Sequence, residues 1–238
     1  MATFKKIQEQ DFIDFCADAS PEKIREALRT VKDINTANEF GSTALFMAAR
    51  ENTPEAVKVL IDAGADTGAK AFDGATAIFW AALSNSVEVI TLLIKAGANV
   101  NDARYDGVTP LMAAARRNNP QAVTTLLKAG AVVNAMDTNG MTPLLYAAMD
   151  NPNPDVMDIL IDAGAEDTVN HTGRTALILA AMMNNAGVVD ALIKAGADVH
   201  AKDDDGKTAL DYARENDKLK GSEALYKLEE YSSGREAM

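Results

Sequence analysis

Apolar and polar positions follow one another along this chain in short blocks that return at a regular interval. The stretch GVTPLMAAARRNNPQAVTTLLKAGA, residues 107–131, shows one such block. A short apolar run follows Pro110, a polar turn occupies 116–119, and a second run with apolar positions three and four residues apart follows Pro120. This spacing is typical of amphipathic helices, so the block predicts two short helices joined by a turn.

Two sequence markers define the period of the repeat. The pattern Gly-x-Thr-(Ala/Pro)-(Leu/Ile) recurs every 33 residues, at Gly41, Gly74, Gly107, Gly140, Gly173 and Gly206. The pattern Ala-Gly-Ala recurs at intervals of 33, 33, 34 and 32 residues, with its glycine at Gly64, Gly97, Gly130, Gly164 and Gly196. One residue is therefore added in 150–155 and one is lost in 166–172, which loops between fixed structural units tolerate.

The markers also predict where each helix begins and ends. A threonine hydroxyl suited to an N-cap precedes the first helix of about nine residues, at Thr43, Thr109 and Thr142. Proline, which fits the first helical position, follows at Pro110 and Pro143. The second helix begins at Ser20-Pro21, Thr53-Pro54, Asn119-Pro120 and Asn153-Pro154. It ends at the glycine of Ala-Gly-Ala, a residue suited to the left-handed conformation that closes helices.

Helices of this length need neighbours, because isolated helices shorter than about 12–15 residues are marginal in water. Alanine pairs that allow close helix approach recur at 48/49, 81/82, 114/115, 147/148 and 180/181. The sequence therefore predicts a stack of helix pairs that bury one another.

These features together resemble the ankyrin repeat over about residues 38–215. The resemblance implies an all-α solenoid of helix-turn-helix units, with a β-hairpin-like finger loop between units. The family usually carries histidine after Thr-Pro-Leu, where this chain has Phe46, Phe79, Met112, Leu145 and Ile178. We therefore do not expect the family's imidazole hydrogen-bond network here.

The repeat register divides the chain into seven units. We expect an N-terminal capping repeat at 1–37, five full repeats at 38–70, 71–103, 104–136, 137–169 and 170–202, and a C-terminal capping repeat and tail at 203–238. The last eight residues, 231–238, are expected to fray.

The two positions after the leucine of the turn predict how repeats face one another. The first of these positions is apolar in the first six units and is Asp211 in the last. The second position is Asp14 in the first unit and is apolar from Met47 onward. We therefore expect Asp14 and Asp211 to face solvent at the two ends of the stack, as capping units require. Arg214, in place of the second alanine of the pair, indicates the same stop. Contacts of Phe46 with Trp80, and of Met112 with Tyr146, should join successive repeats.

Charge and cysteine content narrow the function class. The 238 residues carry 23 Lys and Arg against 35 Asp and Glu, a formal net charge of −12. Such a charge repels phosphate backbones and anionic lipids, so neither nucleic acid nor a membrane is the expected partner. The single cysteine, Cys16, together with an N-terminus that lacks a secretory apolar run, favours a cytoplasmic location.

Catalytic chemistry is poorly supported by the sequence. His171 and His200 lack metal-ligand partners at helical spacing, and Cys16 aligns with a helix-packing alanine. Asp203, Asp204 and Asp205 are interpreted as a solvated finger rather than a calcium loop. We therefore expect no enzyme activity, no cofactor and no metal.

The resemblance places the binding surface at the finger tips and at the ends of the first helices, which form the concave face in this family. The expected partner-binding residues are Phe40, Arg50, Phe72, Asp73, Leu83, Tyr105, Asp106, Arg116, Arg117, Met149, His171, Met182 and Met183. Aromatic residues, arginine and methionine are common in protein interfaces. The three aromatic tips could also pack along neighbouring fingers, and the Arg116-Arg117 pair could be a solvated helix end.

The expected function is a non-enzymatic, monomeric protein-protein interaction module with a preformed concave surface. Two alternatives stay open: a dedicated inhibitor or effector of a single target, and a regulatory subunit of an enzyme assembly.

Overall fold

The computed structural model describes residues 9–51, 53–84, 86–117 and 119–233. Residues 1–8 and 234–238 lie outside this part. The expected absence of a secretory apolar run concerns the first stretch, and the end of the expected tail lies in the second. Of the remaining tail residues, Tyr231 and Ser232 belong to the last helix, and the fraying of the tail stays a prediction. Leu228 on the same helix is buried and anchors the helix to the rest of the protein.

All regular structure in the described residues is helical, apart from one isolated antiparallel bridge between Lys202 and Thr208. The first helices of the units are α1 (Glu9–Phe15), α3 (Ala44–Glu51), α5 (Ala77–Leu83), α7 (Pro110–Ala115), α9 (Pro143–Asp150), α11 (Ala176–Met183) and α13 (Ala209–Glu215). The second helices are α2 (Pro21–Ala27), α4 (Pro54–Asp62), α6 (Val87–Lys95), α8 (Pro120–Lys128), α10 (Pro154–Asp162), α12 (Ala186–Lys194) and α14 (Glu223–Ser232).

The helix starts follow the predicted caps. Thr142 Oγ1 accepts from the backbone N–H of Leu145 at 3.3 Å, and Thr53 Oγ1 accepts from that of Ala56 at 3.3 Å. Thr76 is an exception, since its buried hydroxyl makes no cap hydrogen bond. The Ala-Gly-Ala glycines take the expected left-handed conformation, with φ between 88° and 91°.

The first helices of the full repeats are six to eight residues long, slightly shorter than the predicted length of about nine. In α9 and α11, Asn151 and Asn184 follow the last helical residue in extended conformation. Their side-chain amides bond to backbone carbonyls of the preceding repeat. Asn151 also precedes Pro152, which disfavours helical backbone at 151.

By contact density the chain divides into two compact units, one holding residues up to 110 with 128–131, the other 111–127 with 132 onward. In the first unit, α1 packs on α3 and α3 on α5, while α2 packs on α4 and α4 on α6. The alanine pairs of α3 and α5 are fully buried between them. Phe46 of α3 meets Trp80 of α5 edge to face, with ring centroids 5.6 Å apart. This confirms the contact predicted for these two residues.

The second unit repeats the arrangement. Here α9 packs on α11 and α11 on α13, while α10 packs on α12 and α12 on α14. Helix α11 is buried from Ala176 to Ala181, because helices lie on several sides of it. The contact of Met112 with Tyr146 stays a prediction.

The residues expected at the ends of the stack are polar and exposed. Asp14 and Asp211 both face solvent. Asp211 also completes a capping box with Thr208, a role that was not part of the prediction for the ends of the stack. Arg214 is exposed and pairs with Glu229 of α14 at 3.5 Å.

Within the described residues, none of the helices has the length and apolar content needed to cross a bilayer.

Candidate functional site

Each finger is a tight turn closed by hydrogen bonds to one Asn or Asp side chain. In the finger 38–42, Asn38 Oδ1 accepts from the backbone N–H groups of Phe40 and Ser42, both at 3.0 Å. Backbone bonds from Gly41 N–H to Asn38 O and from Asn38 N–H to Ser42 O, both 2.9 Å, complete the turn. Gly41 has φ 76°, which glycine adopts without the strain of a Cβ atom. The finger is therefore rigid before any partner binds.

Neighbouring fingers are joined tip to tip by backbone hydrogen bonds. In the first unit, Phe72 N–H donates to Phe40 O at 3.0 Å, and Tyr105 N–H donates to Asp73 O at 3.0 Å. In the second unit, His171 N–H donates to Asn139 O at 3.0 Å. These bonds hold successive tips in a fixed row within each unit.

The rings of Phe72 and Tyr105 touch the preceding finger, and all three aromatic tips remain open to solvent. Phe40, Phe72 and Tyr105 are 65%, 72% and 72% exposed. A methyl group placed on Gly41 would lie 2.7 Å from Phe72 Cδ1, so the ring rests against that glycine. Phe72 and Tyr105 thus pack one edge on a neighbouring finger, while most of each of the three rings faces water.

The first unit contains a groove of about 470 Å³ between the fingers and the first helices. Phe40 and Phe72 line it together with Phe46, Met47 and Trp80. We call this surface the aromatic groove. Its volume lies within the range of about 300–1,000 Å³ that is usual for ligand sites.

The aromatic groove also contains charged groups that are largely engaged within the chain. Arg50 places its guanidinium 4.8 Å from the centre of the Trp80 ring. Its Nε lies 3.1 Å from a carboxylate oxygen of Glu51. Asp73, at the tip of the second finger, lies 3.6 Å from Arg104 Nε. Arg104 also pairs with Asp106 at 3.3 Å.

The remaining expected site residues are distributed as follows. Leu83 is half-buried in the first unit, and Met149 and Met182 are half-buried in the second. Arg117 and His171 are exposed, and Met183 is 52% exposed. Arg116 pairs with Asp150 at 2.8 Å and lies 5.3 Å from the Tyr146 ring, so it is engaged within its own unit. Of the expected residues, Phe40, Arg50, Phe72 and Asp73 are brought together in one groove.

The interpretation of Asp203 as part of a solvated finger is wrong. Its side chain is fully buried, and its Oδ2 accepts from the Tyr212 hydroxyl at 2.6 Å. Burial alone would raise the pKa of the Asp203 carboxyl, but hydrogen bonds from Tyr212 and from Lys207 N–H outweigh it and lower the pKa. Asp203 therefore fixes the finger rather than binding a ligand, whereas Asp204 and Asp205 are exposed as expected.

Two sets of asparagines that bridge repeats were missed by the sequence reasoning. At the ends of first helices, Asn184 Nδ2 donates to Ala148 O and Asn151 O at 2.9 and 2.8 Å, and Asn216 Nδ2 repeats the pattern one unit later. In the connectors, Asn134 Nδ2 donates to Gly164 O at 3.0 Å. A signal was present, since asparagine recurs every 33 residues at 52, 85, 118, 151 and 184.

The groups that could carry chemistry are dispersed in the described part of the chain. Burial raises the pKa of the Cys16 thiol to about 12, which keeps it protonated and a poor nucleophile. His171 and His200 are exposed on different loops. Among the described residues, no group of three His, Cys, Asp or Glu side chains is placed to hold a metal ion.

Comparison with known proteins agrees with this architecture. A family model described as ankyrin repeats (3 copies) matches residues 14–104, 97–170 and 147–233. The crystal structure of the human ASB11 ankyrin repeat domain superposes with a TM-score of 0.81 at 22% identity, covering 95% of this chain and 98% of that one. No curated protein matched by sequence. The predicted all-α ankyrin-repeat solenoid fold is thus confirmed, and the chain belongs to the ankyrin repeat family.

Proposed function

We propose that this chain is a non-enzymatic interaction module that binds another protein through the aromatic groove. Ankyrin repeats are generally protein-protein interaction modules. The observation that carries the proposal is the exposure of two phenylalanine rings, Phe40 and Phe72, at the edge of an apolar groove. Exposed apolar surface of this kind, bordered by polar residues, is typical of binding sites.

The groove is suited to binding because it is formed in advance. The turn hydrogen bonds at Asn38 and the bond from Phe72 to Phe40 fix the two tips. The contact of Phe46 with Trp80 fixes the helical side. A partner therefore has little conformational entropy to remove from this chain when it binds.

Several finer features belong to the same proposal. The repeat boundaries are those of the 33-residue register, with 38–202 as five full repeats between two capping units. The module acts as a monomer in the cytoplasm, and the net charge of −12 directs it toward proteins rather than nucleic acids or membranes.

Affinity capture with the full chain tests the proposal. Wild type is compared with a Phe40→Ala/Phe72→Ala variant and with Tyr226→Ala, which removes an aromatic ring that is 61% exposed on α14. Wild type and Tyr226→Ala should capture the same partner, and the groove variant should lose it by at least about tenfold, since interface aromatics are often dominant.

The outcomes separate the candidates. A partner retained by the groove variant but lost by an Arg117→Ala/Met183→Ala variant would place the binding surface in the second unit. A captured enzyme that loses activity would identify an inhibitor. Co-purification at fixed stoichiometry would identify a subunit. Equal retention by every variant would contradict the proposal.

A further inference from the structure

The charged side chains around the aromatic groove differ in how far they are paired within the chain. Asp73 accepts a hydrogen bond from Ala75 N–H at 3.0 Å and lies near Arg104. Arg50 pairs with Glu51 and covers Trp80. Asp14, exposed at the end of α1, also lines the groove and forms no ion pair with the described residues. The charge that the groove offers to a partner is therefore the carboxylate of Asp14.

The aromatic rings point to the same sign of charge in the partner. Guanidinium groups of this unit already lie over two rings, Arg50 over Trp80 at 4.8 Å and Arg104 over Phe79 at 5.4 Å. Aromatic faces attract cations and repel anions. In the described structure Phe40 and Phe72 carry no such cation, and their rings are mostly exposed. These two rings can therefore offer a partner's cation the same contact with an aromatic face that Arg50 and Arg104 make within the chain.

We propose that the aromatic groove binds a protein segment in which an arginine or lysine stands beside an apolar residue. The apolar side chain packs between Phe40 and Phe72, and the cation pairs with Asp14. This inference rests on the proposed function and adds the chemistry of the partner. An acidic segment is disfavoured, because it would meet Asp14 and Asp73 on a chain of net charge −12.

The test begins with selection from a library of random displayed peptides on the immobilised full chain. Enriched peptides are then titrated in solution against the full chain, with the fluorescence of Trp80 as readout. Trp80 is the single tryptophan of the sequence and lines the groove, so its emission reports occupancy directly. Enriched peptides should carry Arg or Lys next to Leu, Ile, Phe or Met, and their binding should change Trp80 emission.

Matched variants assign the contacts. Asp14→Asn should weaken the binding of these peptides by about twofold to fivefold, as expected for loss of an exposed ion pair. Asp14→Lys should shift the selection toward Asp and Glu. Phe72→Ala should weaken binding by at least about tenfold, and Tyr226→Ala should leave it unchanged. Because Asp14 is exposed, its variants test the inference even where Phe72→Ala disturbs the fold.

The possible failures can be told apart. Enrichment of acidic peptides would overturn this inference. Basic peptides that bind Asp14→Asn as tightly as wild type would overturn it as well. In either case the proposed function stands if Phe72→Ala still weakens binding. Peptides that bind without changing Trp80 emission, and that ignore every groove variant, would overturn the groove as the site. Absence of any enriched peptide would overturn both proposals.

Discussion

At the scale of single residues, one side chain in each finger holds the turn, and its position differs between fingers. Asn38, Asp137, Asn170 and Asp203 occupy the first position of their turns and accept the backbone N–H groups two and four residues later. In the two intervening fingers the residue at the third position holds the turn. Asp73 accepts from Ala75 N–H and Asp106 from Val108 N–H, in each case two residues later. Asp73 and Asp106 are therefore structural residues first, although both were expected to contact a partner.

The finger requires glycine for a second reason besides its backbone conformation, which is the close approach of the next finger. A Cβ atom on Gly74 would lie 2.8 Å from the backbone nitrogen of Tyr105 in the next finger. Gly97, with φ 91°, has open space around the same position. We expect Gly97→Ala to cost about 1 kcal/mol of unfolding free energy from the backbone conformation alone. Gly74→Ala should cost about 1–3 kcal/mol more, because the neighbouring finger must move.

Urea denaturation of the two variants measures this difference. Since both positions require positive φ, Gly97→Ala serves as the matched control for backbone strain. Equal losses in the two variants would show that the approach of neighbouring fingers contributes nothing to stability.

At the scale of elements, the ends of the first helices are joined to the preceding repeat by asparagine amides. Asn184 is 4% exposed and donates to two carbonyls of the preceding repeat, and Asn151 makes the equivalent bonds to Ala115 O and Arg117 O. Buried backbone carbonyls need such partners, since an unsatisfied one costs about 1–3 kcal/mol. The amides therefore supply donors to carbonyls at the end of the preceding first helix, where no further helical turn provides them.

Replacing Asn184 with alanine should reveal the strength of this link. We expect Asn184→Ala to lower the free energy of unfolding by about 2–3 kcal/mol, because two buried carbonyls lose their donor. Chemical denaturation provides the measurement, with Asn139→Ala, an exposed asparagine at a finger tip, as control. A loss no larger than that of the control would mean that water replaces the amide without cost.

The sequence predicted the elements well because the features that define them are local. Caps such as Thr142 and closing glycines such as Gly164 act within a few residues, and the 33-residue period fixes their register. The exposed aromatic tips were also predicted as candidates. Burial of Asp203 was missed because it depends on Tyr212, nine residues away, whose hydroxyl turns toward it only in the folded repeat. The engagement of Arg116 by Asp150 was missed for the same reason, since these residues meet across a repeat junction.

At the scale of the whole molecule, stability comes from contacts between adjacent repeats. The helices have six to ten residues in the described part of the chain, too few to persist alone. In such an architecture each repeat is stabilised by its own contacts and by those with its immediate neighbours. Helix α11 illustrates this, because its buried surface is shared with α9 on one side and α13 on the other.

Truncation before residue 203 should therefore destabilise the chain in a graded way. Removing α13 and α14 uncovers the face of α11 that α13 covers and the face of α12 that α14 covers. We expect amide hydrogen exchange to accelerate most in α11 and α12 and less in α9 and α10. A uniform acceleration through all four helices would indicate that the unit unfolds as one cooperative block rather than repeat by repeat.

The turn of the finger 137–141 has a consequence for engineering. Asp137 Oδ1 accepts from the N–H groups of Asn139 and Met141. The side chains of Thr138 and Asn139 are exposed, and Asn139 O accepts from His171 N–H of the next finger. We therefore expect positions 138 and 139 to accept many side chains, with proline excluded at 139 because Asp137 needs the N–H of that residue. A randomised library at this tip would add new specificity to the second unit while the parent fold is kept.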